Sequence, residues 1–176
     1  MDLLYHAAIF YKNHLANRKF NIIATRKSER IQLDLVFLPC HFYHLIGLHK
    51  LTDLPFLKRN ANSVYQEILT GKIKYADVQK SKHFSEASDR FIFYKEMLNV
   101  LSSDSIFFKS LKGKFKGVPA DFVLTKSIEG FTKFSFLFAT KDEIDYMPRS
   151  FFTRDEQRTY TQEGTRWTIV SIKEIN

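Results

Sequence analysis

The chain has 176 residues with 44% hydrophobic and 15% aromatic content, which predicts a single domain with one core and excludes disorder as an overall description. Its only cysteine, Cys40, excludes an intramolecular disulfide and a cysteine-rich zinc site. A formal net charge of +8 favours polyanionic partners, nucleic acid before acidic proteins or anionic membranes. No stretch has the pattern of a secretory signal or a membrane span, so we expect a cytoplasmic protein that binds no membrane.

The N-terminal half predicts helices around one pair of strands. Apolar residues recur at three- and four-residue steps in residues 2–16, as in an amphipathic helix. Residues 19–25 and 31–39 have the character of two strands joined by a polar turn. Helical spacing then follows in three segments, 40–49, 64–72 and, most clearly, 84–103.

Strands dominate the C-terminal half. Strand patterns lie at 105–111, 120–126, 133–141, 149–152 and 166–175. Helices first and closely spaced antiparallel strands afterwards are typical of an α+β fold. No glycine-rich phosphate loop precedes a helix, so the sequence does not support an NTPase or dinucleotide-binding fold.

Three histidines and a lysine lie within ten residues, in the segment "HFYHLIGLHK". His41 and His44 are three residues apart, so on a helix both rings reach the same side. His49 is five residues beyond His44, which rotates it by about 140° on a continuous helix. This separation and the absence of an HExxH motif disfavour a zinc site, so no metal is expected.

A catalytic role without a metal ion requires only that these histidines exchange protons. Cleavage of RNA needs a base for the 2′-hydroxyl, an acid for the leaving oxygen and cations for the charge on phosphorus, and histidine exchanges protons near neutral pH. We therefore predict an acid–base pair of His41 and His44, with Lys50 as a phosphate contact. The alternative is that the histidines are ordinary, partly buried side chains, and His49 is the one that fits this description best.

A lysine-rich turn is the second candidate site. In "KSLKGKFKG", Lys112, Lys114 and Lys116 surround Phe115, so long cations flank an aromatic ring on a predicted hairpin loop. Such a set suits a phosphate backbone with one stacked base. The alternative is a solvated turn whose lysines keep a sheet edge soluble.

Two segments near the C-terminus supply the third candidate site. In "MPRSFF", Arg149 has the planar fork for bidentate phosphate binding, and Ser150 can donate a hydrogen bond to a phosphate oxygen. In "RTYTQ", Arg158 offers another cation and Tyr160 a hydroxyl donor or a stacking ring. The alternative is a surface loop with ordinary pairs of arginine and glutamate. Cys40 is expected to be a buried thiol rather than a nucleophile.

Several of these segments together resemble a known family. The segments are "FLPCHFYHLIGLHKL", "YQEILTGKI", "ADFVL", "FLFA", "PRSFF" and "WTIVSIK". They are similar to the phage-associated members of the barnase–EndoU–colicin–RelE-like nuclease superfamily, the fourth named type. The likeness runs over most of the chain.

The resemblance implies one nuclease-like domain over residues 1–176, in which N-terminal helices pack on a twisted antiparallel sheet of four to five strands. It implies metal-independent RNA cleavage that needs no cofactor and leaves a 2′,3′-cyclic phosphate. Together with the histidine cluster and the basic charge, the resemblance motivates the hypothesis of a toxin or an effector in phage–host conflict, for which a cognate inhibitor protein is a candidate partner. The positions that match the family's segments are His41, His44, His49, Lys50, Arg149 and Ser150.

Two functional hypotheses follow. The first is a ribonuclease with His41 or His44 as general base or acid, Arg149 and Lys50 as phosphate clamps, and hydroxyl donors from Ser150 and Tyr160. The second is a non-catalytic module that binds nucleic acid or a protein through its basic aromatic face, with structural histidines.

Overall fold

Seven strands close into one barrel in the computed structural model, which describes residues 2–175 without the side chain of Thr159. The strands are β1 (Arg18–Arg26), β2 (Glu29–Phe37), β3 (Ile106–Ser110), β4 (Lys114–Phe115), β5 (Val118–Pro119), β6 (Phe122–Ser127), β7 (Phe134–Asp142), β8 (Asp145–Arg154) and β9 (Gly164–Ile175). The order around the barrel is β1-β2-β8-β7-β6-β3-β9, and β9 returns to pair with β1. β4 and β5 form a separate hairpin.

The α+β class with an N-terminal helix is confirmed, but the predicted sheet of four to five strands is wrong. The alternation of hydrophobic residues predicts where the strands lie in the sequence, but it does not predict that they close into a barrel. β1 pairs with β9 from Lys19 to Thr25, and β2 reaches β8 through one parallel pair, Leu35 with Tyr146. These contacts join the N-terminal hairpin to the C-terminal strands across most of the chain, a long-range pairing that local periodicity does not encode.

The helices of the described residues are short. They are α1 (Leu3–His14), α2 (His41–Leu45), α3 (Ala61–Leu69), α4 (Tyr75–Val78), α5 (Ser88–Ile92), α6 (Glu96–Asn99) and α7 (Arg158–Thr161), with 3-10 turns at Leu48–Lys50, Pro55–Leu57 and Phe84–Glu86. Asp2 caps α1, because its Oδ1 accepts a hydrogen bond of 2.9 Å from the backbone N–H of Tyr5, and Asn60 caps α3 in a similar way. Of the helices in residues 2–175, none is long and apolar enough to cross a membrane.

The long helix predicted for residues 84–103 is broken. A 3-10 turn, α5 and α6 replace it, and the helical pattern is interrupted at Ala87 and Phe93. The segment 90–94 contains three aromatic residues and an isoleucine, which have low helix propensity. The interruption also lets Phe93 pack edge-on against Phe131, with ring centroids 5.0 Å apart.

Two apolar clusters lie on opposite faces of the C-terminal strands. On β7, Leu137 and Ala139 belong to the main core, which also includes α1, α3 and one face of β1 and β2. The alternate residues of β7 belong to a second group, which we call the aromatic cluster and which contains Phe115, Phe136, Phe138 and Phe152, with Tyr160 packed against it. The hairpin β4–β5 and α7 thus cover the outer face of β7 and β8, and the candidate site lies beside this cover.

Candidate active site

Gly47 ends the helix that carries the first two histidines. α2 stops at Leu45, and Gly47 has a left-handed backbone with a φ of +88°, which glycine adopts without steric cost. The chain turns there into the 3-10 turn Leu48–Lys50. The predicted continuous helix over residues 40–49 is therefore wrong, and so is the wide separation of His44 and His49 that it implies.

His44 and His49 are instead neighbours, with ring centroids 5.1 Å apart. Partial burial and the charge of Arg149 lower the pKa of His44. Burial, followed by the charge of Arg90, lowers the pKa of His49 to about 4. Both imidazoles are therefore neutral at pH 7, in the form that accepts a proton. The Nδ1 of His49 is buried and has no hydrogen-bond partner within residues 2–175.

Arg90 is a buried cation behind this histidine pair. Its residue is only 5% exposed, its Nη1 donates to the backbone carbonyl of His44 at 3.2 Å, and its guanidinium lies 5.5 Å from the ring centroid of Phe152. Burial, with repulsion from Arg154, lowers the pKa of Arg90 to about 10, so the group stays charged at neutral pH. Its buried Nε has no partner in the described part of the chain. Such orphaned donors are rare and often mark a catalytic group or the place of a bound water or ion.

A β-bulge in β8 supplies Arg149. Pro148 and Ser150 pair with consecutive residues of β7, so Arg149 between them is the extra residue of the bulge. Arg149 and Ser150 consequently border the same space, which regular alternation along a strand does not allow for two consecutive residues. The exposed guanidinium of Arg149 lies close enough to His44 to affect its pKa.

These groups line one cleft of about 520 Å³. The segment from α2 to α5 contributes His44, His49, Lys50, Glu86 and Arg90; β8 contributes Arg149, Ser150, Phe152 and Arg154; and the hairpin and α7 contribute Gly117, Val118, Pro119 and Tyr160. Four of these residues are permanent cations, whereas a single carboxylate, that of Glu86, is present in the described lining. The cleft therefore has the charge of an anion site.

The cleft brings together four of the five predicted catalytic residues, His44, Arg149, Ser150 and Tyr160, together with Lys50. His41 is the exception, because it lines an adjoining hollow that shares His44 and Arg149 with the cleft. His41 and His44 thus line the hollow together, whereas in the cleft the neighbour of His44 is His49.

The lysine-rich turn is a hairpin beside the cleft. Lys116 and Gly117 connect β4 to β5 with positive φ values of 41° and 81°, as a tight two-residue hairpin turn requires. The three lysines of the turn are exposed, Lys112, Lys114 and Lys116. Phe115, in contrast, is fully buried in the aromatic cluster, so the exposed stacking ring predicted at this position is wrong. Its ring anchors the hairpin that carries the lysines.

Arg158 lies outside the cleft. It is exposed and borders a separate hollow together with Lys116, Gln162 and two glutamates. The backbone N–H of Lys116 donates to the carboxylate of Glu163 at 2.7 Å, which ties the hairpin to the loop after α7. Unlike the cleft, this hollow has equal numbers of cations and carboxylates.

Sequence patterns did not indicate Arg90, Arg154 or the position of His49. Arg90 lies in the middle of a predicted amphipathic helix, where an arginine is normally solvated. A signal was available for His49, because Gly47 stands between the histidines and a glycine at this position frequently ends a helix. Within the described residues, no three His, Cys, Asp or Glu side chains lie close enough together to hold a metal ion.

The comparison with protein-family models covers nearly the entire chain. The model PBECR4, described as phage-Barnase-EndoU-ColicinE5/D-RelE like nuclease4, matches residues 3–176. The chain belongs to this nuclease family. The resemblance seen in the separate sequence segments is confirmed. Neither the curated proteins nor the solved structures gave a significant match.

Membership in PBECR4 supports a nuclease function and a nucleic-acid substrate. The cleft of this PBECR4 protein joins cations with two neutral imidazoles. The histidines come from α2 and the 3-10 turn after it, the cations come from that turn, α5 and β8, and both α2 and α5 contact β8.

Proposed function

We propose that this PBECR4 protein is a metal-independent endoribonuclease whose active site is the cationic cleft. One observation carries the proposal, namely the adjacent rings of His44 and His49 in a cleft that contains four permanent cations. A neutral imidazole at pH 7 can remove a proton, and the cations stabilise the charge that develops on a phosphate.

In the proposed reaction, His44 takes the proton of an RNA 2′-hydroxyl. The 2′-oxygen forms a bond to the adjacent phosphorus, the bond from phosphorus to the 5′-oxygen of the next nucleotide breaks, and a 2′,3′-cyclic phosphate remains. A phosphate anion bound beside His49 raises its low pKa, so His49 takes up a proton from solvent and gives this proton to the leaving 5′-oxygen. His44 is the exposed member of the pair, which suits it to meet the substrate first.

The remaining groups of the cleft bind the phosphate in this proposal. Arg149 holds two phosphate oxygens with its fork, and Lys50 adds a point charge. The hydroxyl groups of Ser150 and Tyr160 donate to non-bridging oxygens. Arg90 lies behind the histidine pair, and its hydrogen bond to the backbone carbonyl of His44 orients α2. Outside the cleft, Arg158 and the exposed lysines at 112, 114 and 116 contact the RNA backbone.

Cleavage of a defined single-stranded RNA in buffer with EDTA tests the proposal. We expect the wild-type protein to release fragments with 2′,3′-cyclic phosphate ends, detected by mass spectrometry. His44→Ala should lower the rate by about 10²-fold or more, because it removes the general base. His6→Ala is the matched control, since His6 is an exposed histidine on α1 outside the cleft. Wild-type protein that does not cleave, or equal rates for the two variants, would contradict the proposal.

The exposed lysines of the hairpin support a second candidate function, a module that binds nucleic acid without cleaving it. This alternative predicts salt-dependent RNA binding with no turnover. It further predicts that binding is lost when Lys112, Lys114 and Lys116 are replaced and is unchanged in His44→Ala.

We also propose a biological role as a toxin or in phage–host conflict, which the word phage in the family description supports. An acidic inhibitor protein would complement the cationic cleft. Expression of the wild-type protein in a bacterial host should arrest growth, whereas the His44→Ala variant should not. Equal growth with both would contradict the toxin role while leaving the cleavage chemistry to its own test.

A further inference from the structure

The hollow beside the cleft differs from the cleft in size and charge. It has a volume of about 280 Å³ and shares His44 and Arg149 with the cleft, so the two spaces adjoin at these side chains. Its other lining residues are the polar or charged side chains of His41, Thr140, Lys141 and Asp142 and the apolar pair of Met147 and Pro148. The hollow has two cations, Lys141 and Arg149, against one carboxylate, so it is less cationic than the cleft, and its apolar surfaces suit a ligand group less charged than a phosphate.

His41 lines this hollow and carries one hydrogen-bond donor on its ring. Its Nδ1 accepts a hydrogen bond of 3.1 Å from the backbone N–H of Leu38, which places the proton of the neutral ring on Nε2. Burial lowers the pKa of His41 to about 4, so the neutral ring with its single N–H is the form present at neutral pH. The side chain is thus fixed and oriented by the backbone at the start of α2.

Asp142 presents an acceptor beside this donor. Its carboxylate is exposed, and it lies close enough to His41 for its charge to oppose the lowering of the histidine's pKa. The surrounding strand is held by Asp121, whose Oδ2 accepts from the backbone N–H of Lys141 at 2.6 Å and from Oγ1 of Thr140 at 3.3 Å. The rim of the hollow is therefore set by the protein itself.

We propose that this hollow binds one unpaired nucleobase of the RNA, next to the phosphate in the cleft. Nε2–H of His41 and the carboxylate of Asp142 contact acceptor and donor atoms on the edge of the base, and Met147 and Pro148 contact its face. Adjacent donors and acceptors are the feature that distinguishes a nucleobase edge from a phosphate, and side chains of this kind read bases in single-stranded RNA. This inference rests on the proposed function, and it assigns His41 to substrate selection and not to proton transfer.

Two consequences follow from the proposed base site. A base paired in a duplex cannot enter the hollow, so single-stranded RNA is cleaved and double-stranded RNA of the same sequence is not. The base next to the cleaved phosphate is also selected, because a single carboxylate and a single N–H cannot match all four bases equally.

Sequencing of the cleavage products of a randomised single-stranded RNA pool tests the inference. We expect the wild type to prefer one or two bases at one position beside the cleaved bond. Asp142→Asn replaces one acceptor oxygen with a donor and should change the ratio between bases at that position by about tenfold. His41→Ala should weaken the same preference. Glu143→Gln is the matched control, since this exposed neighbour in the same turn does not line the hollow.

The outcomes separate the inference from the proposed function. If the wild type cleaves and Asp142→Asn and His41→Ala keep its base preference, the nucleobase site is wrong and the ribonuclease stands. If the wild type does not cleave, the ribonuclease is wrong, and binding of the four homopolymeric RNA tetranucleotides then decides the base site. Affinities that differ among the four and change in Asp142→Asn support the site, whereas equal affinities, or differences that Asp142→Asn leaves intact, overturn it.

Discussion

Gly47 allows two parts of the cleft to pack closely. A β-carbon at this position would lie 3.0 Å from Cβ of Ala87 and 3.0 Å from Cδ of Arg90, distances at which the neighbours have to move. The left-handed φ of +88° adds backbone strain for any other residue. The turn that returns His49 to His44, and the position of the buried guanidinium, therefore both depend on a residue without a side chain.

We expect Gly47→Ala to lower the free energy of unfolding by about 2–4 kcal/mol, the sum of backbone strain and crowding against Arg90. Gly71→Ala is a matched control, because Gly71 has a similar φ of +74° but nothing within 4 Å of the added β-carbon. This control should lose only the strain contribution, about 1–2 kcal/mol. Urea denaturation of both variants measures the difference. Equal losses would mean that crowding at Gly47 has no energetic consequence.

The histidines of the site should make stability depend on pH. The pKa of His49 is about 4 in the folded protein, below its ordinary value of 6.5, so the unfolded chain binds more protons between these values. The stabilising contribution of neutral His49 is complete above about pH 6.5 and is lost as the pH falls through about 4. His41 has the same direction of shift for the same reason, burial.

We therefore expect His49→Gln to flatten the decline in stability between pH 7 and pH 5, by at most about 2 kcal/mol. Thermal unfolding at several pH values gives the slope, and His14→Gln, at an exposed position on α1, serves as the control. A slope identical to that of the wild type would show that His49 is not held neutral by the fold. The activity of the protein should also fall as the pH is lowered, because protonated His44 cannot act as a base.

At the scale of elements, the bulge in β8 brings two consecutive residues to the same cleft, which a regular strand does not do. It lets Arg149 and Ser150 border the cleft together, while Phe151 stays in the main core and Phe152 in the aromatic cluster. The sequence "PRSFF" indicates a strand with a cation and a hydroxyl, but the extra residue depends on which residues of β7 lie opposite. Pairing across strands is set by the fold, so the bulge was not predictable from this segment alone.

Arg149→Ala should reduce the cleavage rate by about 10²–10³-fold, the usual cost of removing one group that stabilises transition-state charge. Arg149→Lys should recover only part of this loss, because an ammonium keeps the charge without the bidentate fork. Neither change should alter the melting temperature much, since the side chain is exposed. Arg166→Ala, an exposed arginine on β9 outside the cleft, is the control for lost positive charge. A variant with lysine that is as active as the wild type would contradict the clamp role.

Helical spacing of apolar residues was also not sufficient to predict every helix. The apolar spacing of α1 predicted a helix that the structure confirms, because α1 packs one face on the core along its whole length. The spacing in residues 84–103 is equally regular, yet tertiary contacts at Phe93 and the burial of Arg90 divide that segment. Arg90, which periodicity places on the solvated side of a helix, is thus the buried cation of the site.

At the scale of the whole molecule, composition and order of elements were sufficient for the fold class and insufficient for the architecture. Each of the seven barrel strands had a recognisable pattern, but the pairing of β1 with β9 joins residues from opposite ends of the chain. The residue types of the candidate site were likewise predictable from the sequence, but their arrangement in space was not. Residue types in "HFYH" and "PRSFF" indicated phosphate chemistry, whereas the pairing of His44 with His49 required the turn at Gly47 and the packing of α5 on β8.

The distribution of charge over the molecule gives the last prediction, on the exposed lysines of the hairpin, Lys112, Lys114 and Lys116. If they contact the RNA backbone, replacing all three with Gln should weaken RNA binding and reduce the slope of log K against log salt by about 2, because each lost phosphate contact on a single strand contributes about 0.7. The His44→Ala background prevents cleavage during the measurement. A control with equal loss of charge replaces Lys12, Lys72 and Lys82, which are exposed but do not line the cleft. Equal slopes for the two triple variants would mean that only net charge matters, and the hairpin would then have no specific part in binding.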